Sequence, residues 1–184
     1  MRMVLAGAAL LMASTAFAMH VLKVGVTRLG DRYAMAAEVH VRAPPETVFR
    51  LLVDYDRWTR LSPAIRQSRE LGAFADGRHR VESVTRACVI FVCSDVRQVQ
   101  DVREIGRRRI VAVTLPRRSD LRYGLVRWRI EPAGAESRLF VNVELVPDFW
   151  VPPLIGPWII DRAMRQRVME IASSIERLSA APQR

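Results

Sequence analysis

Residues 157–178, PWIIDRAMRQRVMEIASSIERL, place apolar side chains at Ile160, Met164, Val168, Ile171, Ile175 and Leu178. The steps between them alternate between four and three residues, so a helix built on this stretch carries one continuous apolar stripe. Asp161, Arg162, Arg165, Glu170, Glu176 and Arg177 fall on its other faces. Pro157 suits a first helical turn, and at ~1.5 Å per residue the helix reaches roughly 30 Å, enough to cross a small sheet. A stripe of that length must be buried against something, and the segments upstream supply it.

Working back from the helix, Arg138 to Val146 alternates Leu139, Val141, Val143 and Leu145 against Phe140, Asn142 and Glu144, the period of a half-buried strand. Further strands are expected at Ile65 to Leu71, Arg78 to Ile90, Ser94 to Arg103, Arg109 to Leu115 and Tyr123 to Glu131. Asp76-Gly77, Glu104-Ile105-Gly106 and Pro132-Ala133-Gly134 sit between several of them and are hairpin-turn residue types. Before these, Met35 to Val41 reads as a strand. Ala43-Pro44-Pro45-Glu46 ends it and opens a short helix with Val48, Phe49, Leu52 and Val53 on one face. Asp54-Tyr55-Asp56 interrupts that helix, and Trp58 to Leu61 reads as a second short one. The order predicts an α+β helix-grip fold: a curved antiparallel sheet of about seven strands wrapped on the long C-terminal helix, with two short helices after the first strand.

The first eighteen residues have Arg2, an apolar run from Met3 to Ala13, and Ala16-Phe17-Ala18, the pattern of a cleavable export signal. The apolar run falls short of the ~20 residues that cross a bilayer as a helix. The expected organisation is a signal peptide over 1–18 and one domain over 19–184, in the periplasm or outside the cell. The formal charge is +10, and +9 once Arg2 is removed; Lys23 is the only lysine. Such a surface suits anionic lipid, while export argues against a nucleic-acid partner. Cys88 and Cys93 would lie on opposite faces of a continuous strand. A disulfide between them, expected in an oxidising compartment, therefore needs a turn or bulge at Val89-Ile90-Phe91-Val92.

The stretch Val39-His40-Val41-Arg42-Ala43-Pro44-Pro45-Glu46-Thr47-Val48-Phe49-Arg50-Leu51-Leu52-Val53-Asp54-Tyr55, followed by Trp58, resembles the opening of the START-like, SRPBCC superfamily. It is similar in particular to the polyketide cyclase/dehydrase and coenzyme Q-binding branch. Arg127-Trp128-Arg129 and Pro147-Asp148-Phe149-Trp150-Val151-Pro152-Pro153 fit the same group. The resemblance implies a deep apolar cavity between sheet and C-terminal helix, a type of site used for sterols, phospholipids, quinones or polyketides. On that basis Ile160, Met164, Val168 and Ile171 are the expected roof. Trp128 and Asn142 are the expected contributions of the sheet, and Trp150, Leu154 and Ile155 those of the entrance.

Titratable groups do not converge along the chain. His20, His40 and His79 are scattered, and Asp54 and Asp56 are placed to end one helix and cap the next. H-E-x-x-H, G-x-S-x-G and phosphate-cradling glycine loops do not occur, and C-x4-C without a nearby His does not make a metal site. No catalytic residue, metal or cofactor is therefore assigned. The expected function is binding or transport of an apolar small molecule or lipid by a monomer. Phe149, Trp150, Val151, Leu154, Ile155, Trp158 and Ile159 form an apolar segment suited to transient contact with an anionic membrane. The rival is a cyclase/aromatase-type enzyme, which would need Asn142, Gln98 or Glu82 inside the cavity. A third reading is an envelope interaction module with a filled cavity.

Overall fold

Alternation over Arg32–Val41 (β2) turns Tyr33, Met35, Ala37, Val39 and Val41 to one face, and all five are buried. This strand is the seat of the long helix. The computed structural model describes residues 21–89 and 92–181; the expected signal peptide lies outside them. Around β2 the chain builds β1 (Val21–Leu29), β3 (Ile65–Ala73), β4 (Arg78–Val89), β5 (Val92–Ile105), β6 (Arg109–Thr114), β7 (Leu121–Ala133) and β8 (Glu136–Pro147). They form one sheet in the order β1-β2-β8-β7-β6-β5-β4-β3, every neighbouring pair antiparallel.

The eighth strand is β1, which the sequence reading did not anticipate. Val24 and Val26 alternate with Lys23, Gly25 and Thr27, and only the two valines pack on the core. Gly30, at φ 63°, makes the tight turn into β2, a conformation that disfavours any residue with a Cβ.

The connection from β2 to β3 carries the chain from one side of the sheet to the other edge. α1 (Pro45–Leu52) follows the N-cap Pro44 and buries Val48, Phe49 and Leu52. A 3-10 segment, Tyr55–Arg60, comes next, and Asp56 ties it to β3 by accepting the Glu70 N–H at 2.8 Å. Asp54 makes no capping hydrogen bond and pairs with Arg57 at 3.5 Å instead.

The last helix, α2 (Gly156–Ala180), buries Met164, Val168, Ile171, Ala172 and Ile175 against the sheet. Polar contacts pin it along its length. Arg165 donates to the Val24 carbonyl at 2.8 Å, Glu176 accepts the Arg42 N–H at 2.9 Å, and Arg167 donates to the Ser62 hydroxyl at 2.7 Å.

Cys88 and Cys93 are joined by a disulfide. They are direct cross-strand partners beside the β4–β5 turn, with Cα atoms 4.0 Å apart. They stand on two antiparallel strands, β4 and β5, which removes the opposite-face problem of a continuous strand. Among the described residues no helix is long and apolar enough to cross a membrane.

On the outer face of β4 and β5, arginine and carboxylate interleave. Asp101 accepts from Arg80 at 2.7 and 3.0 Å and from Arg78 at 2.7 Å. The bonds from Arg80, then those from Arg78, hold the Asp101 carboxyl below its ordinary value, outweighing partial burial. The stability from a depressed carboxylate is complete above its unfolded pKa of ~3.9 and is lost as pH falls through the lower folded value. Wild type is therefore expected to unfold at higher urea than Asp101→Asn near pH 7. That gap should narrow steadily below about pH 4. A gap that stays constant in urea titrations across this range would contradict the assignment.

Candidate functional site

The inner face of the sheet and the stripe of α2 do not meet everywhere. Between them is a cavity of about 320 Å³. Its roof is Ile160, Ala163, Met164, Val168 and Ile171 of α2, and its floor includes Met35, Ala112, Val126, Trp128, Val141 and Val143. Leu52, Trp58, Leu61 and Ile65 close one side, and Leu121, Leu145, Pro147 and Phe149 stand at one end.

Trp58 is held in place from two directions. Its indole N–H donates to the Leu52 carbonyl at 2.9 Å, and its ring meets the edge of Tyr55 at a centroid distance of 5.6 Å. Tyr55 in turn donates to Glu104 at 2.7 Å; burial first, then that carboxylate, pushes its phenol well above the ordinary tyrosine value. His79 joins the same cluster through Glu70 at 2.7 Å. The cluster brings together residues far apart in the chain, but it lies behind Trp58 and does not line the cavity.

The lining carries four neutral polar side chains, Ser83 and Thr85 on β4 and Gln98 and Gln100 on β5. Ser83 stands opposite Gln98 in the strand register, and Gln98 donates to the Thr114 hydroxyl of β6 at 2.7 Å. Gln100 is only 6% exposed, and its amide has no hydrogen-bond partner among the described residues. Among the described residues, the one ionisable group in the lining is Arg167.

Of the residues expected at the site, Trp128, Ile160, Met164, Val168 and Ile171 line the cavity. Asn142 does not. With Leu139 and Val141 buried, period-two alternation sends Asn142 to the outer face, where it stands exposed beside Arg127. Trp150, Leu154 and Ile155 also lie outside the lining, at 79%, 94% and 44% exposure. Of the segment between β8 and α2, only Phe149 reaches the cavity. Gln98 is inside, whereas Glu82 faces outward, paired with Arg69 and Arg97. Arg167, Gln100, Ser83 and Thr85 escaped the sequence reading. The usable signal for Arg167 was its spacing, three residues after Met164 and four before Ile171 on the same helix face.

Residues 33–180 match the family model described as polyketide cyclase / dehydrase and lipid transport. The chain belongs to that family. No curated protein matches it. Among solved structures, a START superfamily protein from Mycobacterium smegmatis superposes with a TM-score of 0.66 at 17% identity, covering 79% of this chain and 98% of that one. A STAR-related lipid transfer protein from Xanthomonas axonopodis gives 0.66 at 14% identity, over 85% and 98% of the two chains. An aromatase/cyclase from a Streptomyces species gives 0.64 at 14%, over 80% and 93%. At these identities the likeness is one of fold. Among the described residues of this family member, no group of three His, Cys, Asp or Glu side chains is placed to hold a metal ion.

One backbone position governs the polar wall. A Cβ at Gly124 of β7 would run into the Thr114 side chain and crowd the Gln98 amide at 3.4 Å. Gly124→Ala is therefore expected to destabilise the domain by about 1–3 kcal/mol, as an overpacked core does. The additional Thr114→Gly change should recover much of the loss in urea denaturation. Equal destabilisation of single and double variants would separate Gly124 from this contact.

Proposed function

We propose that this chain is an exported binding or transport protein that carries an apolar ligand in the cavity between its sheet and α2. The observation that carries this reading is the cavity itself: about 320 Å³, lined almost wholly by aliphatic and aromatic side chains. That lies in the size range of small-molecule sites. Each ~100 Å² of apolar ligand surface moved into it from water contributes about 2.5 kcal/mol. An open cavity speaks against a filled interaction module. A lining whose ionisable inventory among the described residues is Arg167 supports binding over proton-transfer chemistry.

The exposed segment beside the cavity supports a membrane as the place of loading. Trp150, Leu154 and Trp158 are 79%, 94% and 63% exposed, and Arg162 lies 5.8 Å from the Trp158 ring centroid. Asp148 N–H donates to the Asp120 carbonyl at 2.9 Å, which sets this segment beside the β6–β7 connection and its Arg117 and Arg118. Aromatic side chains flanked by arginine suit the headgroup layer of an anionic bilayer.

Native mass spectrometry of protein purified from the periplasm, followed by solvent extraction, is expected to show a co-purifying apolar molecule. Met164→Trp should reduce its occupancy to near zero while the melting temperature stays close to wild type. A variant that fills the roof yet keeps its ligand would place the binding site elsewhere.

The membrane step is tested separately. Trp150→Ser combined with Leu154→Ser is expected to weaken co-sedimentation with phosphatidylglycerol vesicles about tenfold or more. Unchanged sedimentation would remove these side chains from any membrane contact.

A further inference from the structure

The carrier reading leaves Arg167 unexplained. A guanidinium in the wall of a largely apolar cavity is costly to desolvate, and such groups are normally matched by a carboxylate. Arg167 spends one N–H on the Ser62 hydroxyl at 2.7 Å and forms no ion pair among the described residues. The acid that acts on it is Glu170. Its carboxylate accepts from the Ser62 hydroxyl and from the Gln166 amide at 2.8 Å. Burial draws the Arg167 guanidinium below its ordinary value, with Glu170 opposing, yet an arginine stays protonated in protein. The side chain therefore brings a fixed positive charge, with donors left unspent, to the wall of the cavity.

Ser62 is fully buried and also accepts the Ala64 N–H at 3.2 Å, so the anchor that holds Arg167 is itself rigid. The strand register brings polar groups toward the same side. Ile65, three residues after Ser62, stands opposite Thr85 on β4, and Ser83, Gln98 and Gln100 continue from Thr85 along the sheet wall. Gln100, nine-tenths buried without a partner, adds an unspent amide there.

We propose that the cavity takes an anionic amphiphile, its carboxylate or phosphate head on Arg167 and its apolar tail along the roof of α2. This rests on the carrier reading and narrows it. The guanidinium fork pairs with the oxygens of either head through charge-assisted hydrogen bonds, and the sheet-wall amides are available to an ester, carbonyl or hydroxyl further along the chain.

Isothermal titration with probes of one tail length tests it: dodecanoate, dodecyl phosphate, dodecanol and dodecyltrimethylammonium, each below its micelle-forming concentration. Wild type is expected to bind at least one anionic probe tenfold or more tighter than dodecanol, and the ammonium probe weakest. The ratio of the two anions tells a carboxylate head from a phosphate head. Arg167→Gln should lose the preference while dodecanol binding holds, which also reports an intact fold. Arg167→Lys, with the charge kept, should retain part of it, and remains informative if Arg167→Gln does not fold. Equal binding of dodecanol and both anions by wild type, or an undiminished preference in Arg167→Gln, would overturn the assignment and leave the carrier reading intact. No binding of any probe by wild type would instead overturn the carrier reading, and this inference with it.

Discussion

The seating of α2 on the concave face of the sheet is the contact on which the rest depends. The helix has a single stripe of buried side chains, Met164, Val168, Ile171, Ala172 and Ile175, and the sheet offers eight strands of inner surface. Hydrophobic burial alone does not fix where along a curved face such a helix rests, because it is non-directional. The polar pins supply the direction. Arg165 reaches the edge strand β1, Glu176 reaches the end of β2, and Arg167 reaches Ser62 beside β3, so opposite margins of the sheet are both tied to the one helix.

That arrangement accounts for the cavity. Close packing is complete at the C-terminal half of α2, where Ala172 and Ile175 are fully buried against β2 and its neighbours. Toward the N-terminal half, Ile160, Ala163 and Met164 face residues of β4 to β8 across the cavity, and the helix side chains leave that space unfilled. The floor there is built from Trp128, Val126 and Val143, which pack partly on the core and partly face empty space. Bulk at Trp58 and Trp128 bounds the space and does not fill it.

How much of this was legible in the sequence follows from where the information is local. The α2 stripe, the alternation of β8 and the turn residues between hairpins are short-range patterns, and they led to the helix-grip fold; a cavity lined by Trp128, Ile160, Met164, Val168 and Ile171 was expected from the family resemblance, and those five residues stand in the lining. Strand β1 was missed because, among its described side chains, only Val24 and Val26 pack on the core, while Lys23, Thr27, Arg28 and Leu29 are left outside it. Asn142 was misplaced because alternation reveals two faces without naming the inner one; the burial of Leu139 and Val141 does that. Trp150, Leu154 and Ile155 were expected at the cavity entrance, and hydrophobicity in sequence does not distinguish an entrance wall from the exposed segment they form. The Tyr55–Glu104 contact joins the 3-10 segment to β5 and the His79–Glu70 contact joins β4 to β3, pairings that no local pattern encodes.

Arg167 shows how one helix position serves both packing and recognition. Its bond to Ser62 holds α2 over the edge of β3, and Glu170, one turn further along α2, grips the same hydroxyl. The carboxylate that would otherwise neutralise Arg167 is thereby committed to the serine and to Gln166. Had Glu170 paired directly with Arg167, the helix would be anchored less firmly and the cavity would present no net charge. Routing both side chains through Ser62 keeps the anchor and leaves guanidinium donors unspent at the cavity wall. The charge on the cavity wall is thus a consequence of how the helix is fastened to the sheet.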